Sequence, residues 1–531
     1  MTDISKTGAT SSGVYVRKSS GLVRTVTTLD TLFYSIIQVA IPYTIFNFAV
    51  YAFYPGASQE IACIIALIGS LGLGITYALF SSVYPRSGGE YVFLSRTTHP
   101  FLGLVISFIM VFWQIYMFGL DGPFAASIGI APFFTIIGFQ ANNPMLMNIG
   151  AFFDTTTGWF LVGVVMIAFF SYQLYLGMRT YFKYQRWATY IALFGIALFI
   201  LVLVLGSMGV FNFPDRLNSI AGAGSYSKML EDAKAQGVDL TPNFNWMQTL
   251  YFIIWPAFTF LFAVLSVSFS GEIKDIKRGQ LYAIVGANLI SGLIVLLLTY
   301  FGRHAVGDQF MIASSALGAV EPLAHPWMSF LASILGGNIL LTLFINLSMV
   351  ILIVYAAAAS AVYVSRVLLA WSLDGLAPAK LGVVSDKYHS PIYAILVAAV
   401  LALVSCAVYS FTDLMRVLSG IASMGTVFAV VAIAGMLFPF IKRDVYETSP
   451  AKIEIGKIPL MTITGFIGAV MTIFVVYRGL TDDTYAANSP LSVAMYFIVI
   501  ASGAVWYLVA KWIRSRQGVD IDARSKEIPI E

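Results

Sequence analysis

The chain has 531 residues, 59% hydrophobic and only 11% charged, with a mean hydropathy of +0.84. A soluble domain carries about 25% charged residues, so most of this chain has lipid or other protein as its solvent, which excludes a soluble enzyme. The formal net charge of +4 is spread over connections between apolar runs, not gathered in a stripe that nucleic acid would need.

Residues 1–28 are polar and Ser/Thr-rich, with Arg17, Lys18 and Arg24. They contain no short apolar stretch followed by a cleavage site, so this segment is expected to be a cytoplasmic tail, with the first span directing insertion. That span, Leu29 to Phe53, has Pro42 near its middle. About 20 apolar residues in a helix cross a bilayer. A proline within them frees carbonyls that only protein or a wet cavity can satisfy.

Twelve apolar runs of spanning length follow one another, near 29–53, 59–83, 101–132, 158–178, 187–211, 246–271, 280–302, 336–371, 391–410, 416–441, 458–478 and 491–513. The third and eighth exceed a simple span and are expected to tilt, bend or include a short extra helix. The sixth repeats the pattern of the first, with Pro256 inside NWMQTLYFIIWPAFTF. Matched interruptions in two halves point to a carrier's binding site. The expected fold is therefore all-α and membrane-embedded. Spans one to five (29–211) and six to ten (246–441) form an inverted five-plus-five repeat, because an odd count flips the second unit. Together they make a core over 29–441. Residues 442–514 add a loop and spans eleven and twelve, a lipid-facing or dimerising pair. Residues 515–531 are expected to be a disordered tail. The connection 212–245 is read as a loop with one short helix at MLEDAKAQ, and 303–335 as re-entrant or surface-lying.

Orientation follows from Lys and Arg in the connections. Of 30 such residues, Arg216, Lys228, Lys234, Arg303, Arg416 and Arg478 fall on one side, and the remaining 24 on the other. Both termini are thereby expected in the cytoplasm, in a multi-pass protein of the cell membrane. Cys63 and Cys406 sit in apolar runs and read as small core hydrophobes. The four histidines lack a second ligand at metal spacing, and no nucleotide, phosphate or hydrolase motif is present. No cofactor, metal or catalytic residue is expected.

Three stretches resemble the amino acid–polyamine–organocation permeases: YPRSGGEYVFLSRTTHPFLGLVISF (Tyr84 to Phe108), SGEIKDIKRGQ (Ser270 to Gln280) and VSRVLLAWSLDGLAPAKLGVVSDKYHSPIYAIL (Val364 to Leu396). The resemblance covers about residues 20–440 and implies a LeuT-type fold with helices one and six interrupted. The chain departs from that family at both breaks. Ile45-Phe46 matches the end of the usual Gly-x-Gly-Ile-Phe stretch, but Pro42, Tyr43 and Thr44 stand where its glycines belong. The usual Gly-Phe-acidic stretch of helix six falls at Phe262-Ala263-Val264 when counted from Lys274, or at Thr259-Phe260-Leu261 when anchored on Trp255.

The substrate, an amino acid or related amine, is expected between Ile41, Pro42, Tyr43 and Thr44 on one side and Trp255, Pro256, Ala257, Phe258 and Thr259 on the other. Trp255 is suited to cover an ammonium ligand. Asp121, an intramembrane carboxylate, and Ser360 are candidates for coupling or cation recognition. Because Gly122-Pro123 follows, Asp121 also reads as a helix end near the surface. Arg86, Glu90 and Glu272 are candidates for a cytoplasmic gate, with Arg86 paired to Glu272 at a partly exposed site. Secondary active transport by alternating access is expected, with protons favoured over sodium as the coupling ion, or exchange. A sensor or scaffold retaining the carrier fold, and a sodium-coupled carrier of another solute, are the alternatives.

Overall fold

A computed structural model describes residues 20–44, 48–318, 327–414, 416, 418–485 and 487–524. It is almost wholly helical. Among the described residues, eleven helices are long and apolar enough to cross a membrane. The first predicted span is not one of them, because it is broken.

Helix α1 (Thr28–Gln38) opens on a capping box. Asp30 N–H donates to Thr27 Oγ1, and Thr27 N–H donates to the Asp30 carboxylate, each at 3.2 Å, satisfying two donors that a helix start leaves open. It ends after 11 residues, far short of a bilayer's thickness. Ala40 then takes φ +51° and Ile41–Thr44 form a 3₁₀ turn. The break thus begins two residues before Pro42, at an alanine in the left-handed region that glycine favours.

The long helices follow. They are α2 (Gln59–Val83), the short α3 (Glu90–Thr97), α4 (Pro100–Phe124), α5 (Thr156–Tyr175) and α6 (Met178–Ser207). Pro123 does not end α4, which continues through a π turn at Ala125–Ile130 into a helix reaching Gln140. The sixth span is α7 (Trp246–Phe252), α8 (Ile254–Leu261) and a 3₁₀ segment, Phe262–Ser268. Pro256 sits in the first turn of α8, where a missing N–H costs little. The longer departure from α-geometry starts at Phe262, the first of the two expected registers. Then come α9 (Ile276–Val306), α10 (Ile339–Leu373), α11 (Ile392–Phe411), α12 (Ile421–Ile441), α13 (Leu460–Thr481) and α14 (Pro490–Arg516).

Three connections carry more structure than expected. The 212–245 segment holds two helices, Phe213–Ala221 and Ser225–Ala235. Between α9 and α10 lie Asp308–Leu317 and the fully buried Met328–Gly336, so part of that connection is core. Beyond α14 the chain stays ordered through Ile521–Arg524, where Asp522 takes hydrogen bonds from Tyr507 at 2.7 Å and Lys511 at 2.5 Å.

The last two helices are not alike. A Cβ on Gly465 of α13 would stand 2.6 Å from the backbone of Met436 in α12, and one on Gly468 3.0 Å from the backbone of Leu73 in α2. Small residues let helix backbones approach closely in lipid, and α13 uses them to enter the bundle. Its central window is 44% buried, against 17% for α14. The expectation of a peripheral pair holds for α14 alone.

Candidate functional site

The two interrupted helices meet at a cavity of about 460 Å³. Gln38, Val39 and Ala40 line it where α1 ends, and Trp255, Phe258, Thr259 and Phe262 where helix six unwinds. Opposite them stand Gln114 and Asp121 of α4 and Ser360 of α10, and the cavity reaches Tyr409 of α11 and Arg416 beyond that helix. Broken helices leave backbone groups unpaired by their own helix, so such a junction meets a polar ligand with backbone as well as side chains.

Most of the cavity is apolar, with a few convergent polar groups. Asp121 is 2% exposed and lies inside a continuous helix, so the reading of it as a helix end is corrected. Gln114 has a buried Oε1 with no hydrogen-bond partner among the described residues. Thr259 Oγ1 donates to the Trp255 carbonyl at 3.1 Å, and Ser360 Oγ donates to the Ala356 carbonyl at 3.2 Å. A carboxylate, an amide and two hydroxyls facing one small space suit a ligand with an ammonium group. The Arg416 guanidinium, placed over Trp159 at 5.3 Å, brings the opposite charge to the mouth.

On that side a chain of hydrogen bonds spans the two breaks and α13. Trp255 Nε1 donates to Tyr54 Oη at 3.2 Å, and Tyr54 Oη donates to Asp482 Oδ2 at 2.8 Å. Asp482 in turn pairs with Arg478, whose guanidinium covers the Tyr251 ring at 3.9 Å.

The other end, which carries Arg86, Arg96, Lys274 and Lys277 and is called the basic end below, is closed more heavily. Val26 N–H donates to the Glu272 carbonyl and Lys274 N–H to the Val26 carbonyl, both at 3.0 Å, and Gly88 N–H donates to the Ser268 carbonyl at 2.8 Å. Arg366 meets Glu272 at 2.9 Å with both side chains at most 2% exposed, and Arg96 meets Asp374 at 2.7 Å, both 3% exposed. Tyr91 Oη also donates to Asp374 at 2.6 Å, and Tyr363 Oη donates to Glu90 at 2.6 Å. The carboxylate of Glu272 therefore goes to Arg366 of α10 rather than to Arg86, and the pair is buried, not partly exposed.

The predicted residues divide accordingly. Trp255, Phe258, Thr259, Asp121 and Ser360 come together around the cavity. Ile41, Pro42, Pro256 and Ala257 are buried in the flanking turns without lining it. Tyr43 and Thr44 belong to the 3₁₀ turn, their side chains outside the described residues, as are Ile45 and Phe46 entirely. Glu90 and Glu272 lie in the basic-end closure, and Arg86 stands in the connection beside it. Sequence reasoning missed Gln38, Gln114 and Arg416. The two glutamines carried a usable signal, since each is a polar side chain inside an apolar run.

A bundle of apolar helices with a cavity holding a few polar groups at the junction of two broken ones is the architecture of a solute carrier. The amino acid permease family matches this chain over residues 26–510, and the chain belongs to that family, within the amino acid–polyamine–organocation superfamily. No curated protein matches it. It is a multi-pass membrane transporter of amino acids or amines, not an enzyme.

Proposed function

We propose that this permease moves an amino acid or related amine through the cavity by alternating access, driven by protons or by exchange, in the cell membrane. The carrying observation is the junction itself: Asp121, Gln114 and Thr259 face one cavity between the α1 and helix-six breaks. Asp121 takes the ammonium group of the substrate, and Trp255 covers it. The 24 basic residues of one side support a cytoplasmic location for the basic end and both termini. Counting the broken α1 region gives twelve crossings. Residues 29–211 and 246–441 then form the two inverted halves, with α13 and α14 added.

Uptake of labelled amino acids and polyamines into proteoliposomes, with and without sodium, tests this reading. Saturable uptake or exchange is expected in the parent. Thr259→Trp, which fills the cavity, should abolish it while leaving membrane insertion intact. Full uptake in that variant moves the site elsewhere. Binding without uptake in the parent makes the protein a sensor, and uptake only with sodium brings Ser360 forward.

A further inference from the structure

Four carboxyl groups are buried at the basic end, and three have arginine partners. Asp30 has Arg186 at 2.7 Å, Glu272 has Arg366 at 2.9 Å and Asp374 has Arg96 at 2.7 Å. Glu90 differs. Its side chain is fully buried, Oε2 accepts from Tyr363 at 2.6 Å, and Oε1 has no hydrogen-bond partner among the described residues. Among the described residues no Lys, Arg or His nitrogen approaches it within 4.0 Å.

The groups that reach it are hydroxyls, because Arg366 of α10 and Arg96 of its own helix are taken by Glu272 and Asp374. Tyr77 comes from α2, Tyr363 from α10, and Tyr34 from α1 lies within electrostatic reach. The 3₁₀ segment Phe262–Ser268 and α12 contain no ionisable side chain, and α4 has only Tyr116 and Asp121 near its far end. A buried carboxylate without a counter-charge is so costly that such a group neutralises instead. Burial pushes the Glu90 pKa up, with the Tyr363 and Tyr77 hydroxyls pulling the other way. Glu90 also stands at the closure itself. It follows Gly89, which packs on Ser268, and Gly88 is bonded to that same residue.

We propose that Glu90 is a proton-binding site, loaded while the basic end is closed and emptied when it opens. This rests on the transport reading above and names its coupling group. Opening separates the Ser87–Gly88 segment from Ser268–Phe269 and lets water reach the carboxyl, which releases its proton to the basic side and leaves a hydrated carboxylate. After reclosure the buried carboxylate takes its next proton from the cavity side, so each cycle carries one proton across. From the cavity, Gln38 donates to Tyr34 Oη at 3.5 Å, and Tyr34 lies within electrostatic reach of the carboxyl.

The test uses the full chain in liposomes. Infrared difference spectra of the parent at neutral pH should contain the carbonyl stretch of a protonated carboxylic acid that Glu90→Gln lacks. With a mixture of the twenty labelled amino acids, Glu90→Gln should retain exchange against the trapped unlabelled mixture. It should lose at least tenfold of the accumulation driven by an imposed pH gradient, while Tyr363→Phe keeps accumulation with a displaced pH profile. Gradient-driven accumulation in Glu90→Gln equal to the parent overturns the proposal, as does an unchanged carbonyl region. A folded Glu90→Gln that loses exchange as well also overturns it, making Glu90 a packing group of the gate. A parent that shows the band but takes up no labelled compound keeps the proton site and refutes the transport reading.

Discussion

Asp121 changes meaning most between sequence and structure. Gly122-Pro123 after it, about 21 residues from the helix start, suggested an end at the surface. The chain instead carries on through Pro123 by a π turn, which absorbs the lost hydrogen bond, and leaves the carboxylate on the cavity. A hydrogen bond to a charged group contributes about 1.5–3 kcal/mol. Asp121→Asn should thus raise KM for substrates with an ammonium group roughly 10- to 100-fold, measured as saturable uptake. An unchanged KM removes Asp121 from recognition. Ala40 was illegible for a different reason: its left-handed backbone is a non-glycine exception that residue type does not announce. Glu90 gives a pH signature. Burial raises its pKa above the ordinary 4.5, so the folded chain holds this proton where the unfolded chain has lost it. Its contribution to stability is fullest in acid and falls as pH rises from about 4.5 through the folded value. Glu90→Gln, neutral throughout, should unfold at a temperature that gains on the parent's as pH rises. Parallel curves would mean that Glu90 titrates alike in both states.

At the scale of elements, the spans were legible because long apolar runs have few alternatives in lipid, and matched prolines drew attention to two spans that are interrupted in the structure. The position of the unwinding was not. Proline is costly inside a helix and nearly free in its first turn, so Pro256 marks the start of α8, while the later 3₁₀ segment Phe262–Ser268 carries no proline at all. The role of α13 was equally hidden. Its glycines looked like any others until Met436 and Leu73 were seen against them. Because α13 enters the bundle, Asp482 reaches Tyr54 and through it Trp255, making this helix part of the closure on the non-basic side. Asp482→Asn keeps the shape but removes the charge that holds Arg478. The variant should weaken closure and speed exchange several-fold without changing which substrates are carried. Exchange at the parent rate would reduce the Trp255–Tyr54–Asp482 chain to packing.

Across the whole molecule the Arg366–Glu272 and Arg96–Asp374 pairs of the basic end are the more deeply buried, 0–3% exposed against 6–50% at the other end, and that asymmetry predicts a cavity facing away from the basic end. The basic end has two buried ion pairs and three backbone hydrogen bonds joining Val26, Gly88 and the 268–274 segment. The opposite end has the Trp255–Tyr54–Asp482 chain with the Arg478–Asp482 pair, the Asn245 N–H bond to the Gly56 carbonyl at 2.8 Å, and the more exposed Arg303–Glu60 and Arg303–Asp308 pairs. Removing one member of a buried pair costs about 3–5 kcal/mol, because the other charge stays buried and unpaired. Alternative states of a protein commonly differ by only a few kcal/mol, so a single such change is large enough to reverse the preference. A thiol at the cavity reads the outcome. Cys63 and Cys406 are buried, and Thr259→Cys would add one accessible site. With the parent gates, a membrane-impermeant maleimide should label it from the non-basic side and not from the basic side. Adding Glu272→Gln, which orphans Arg366, should open labelling from the basic side and diminish it from the other. Equal labelling from both sides with the parent gates would mean that the basic-end contacts do not close the protein. Unchanged one-sided labelling after Glu272→Gln would assign the closure to the backbone bridges instead of the Arg366–Glu272 pair.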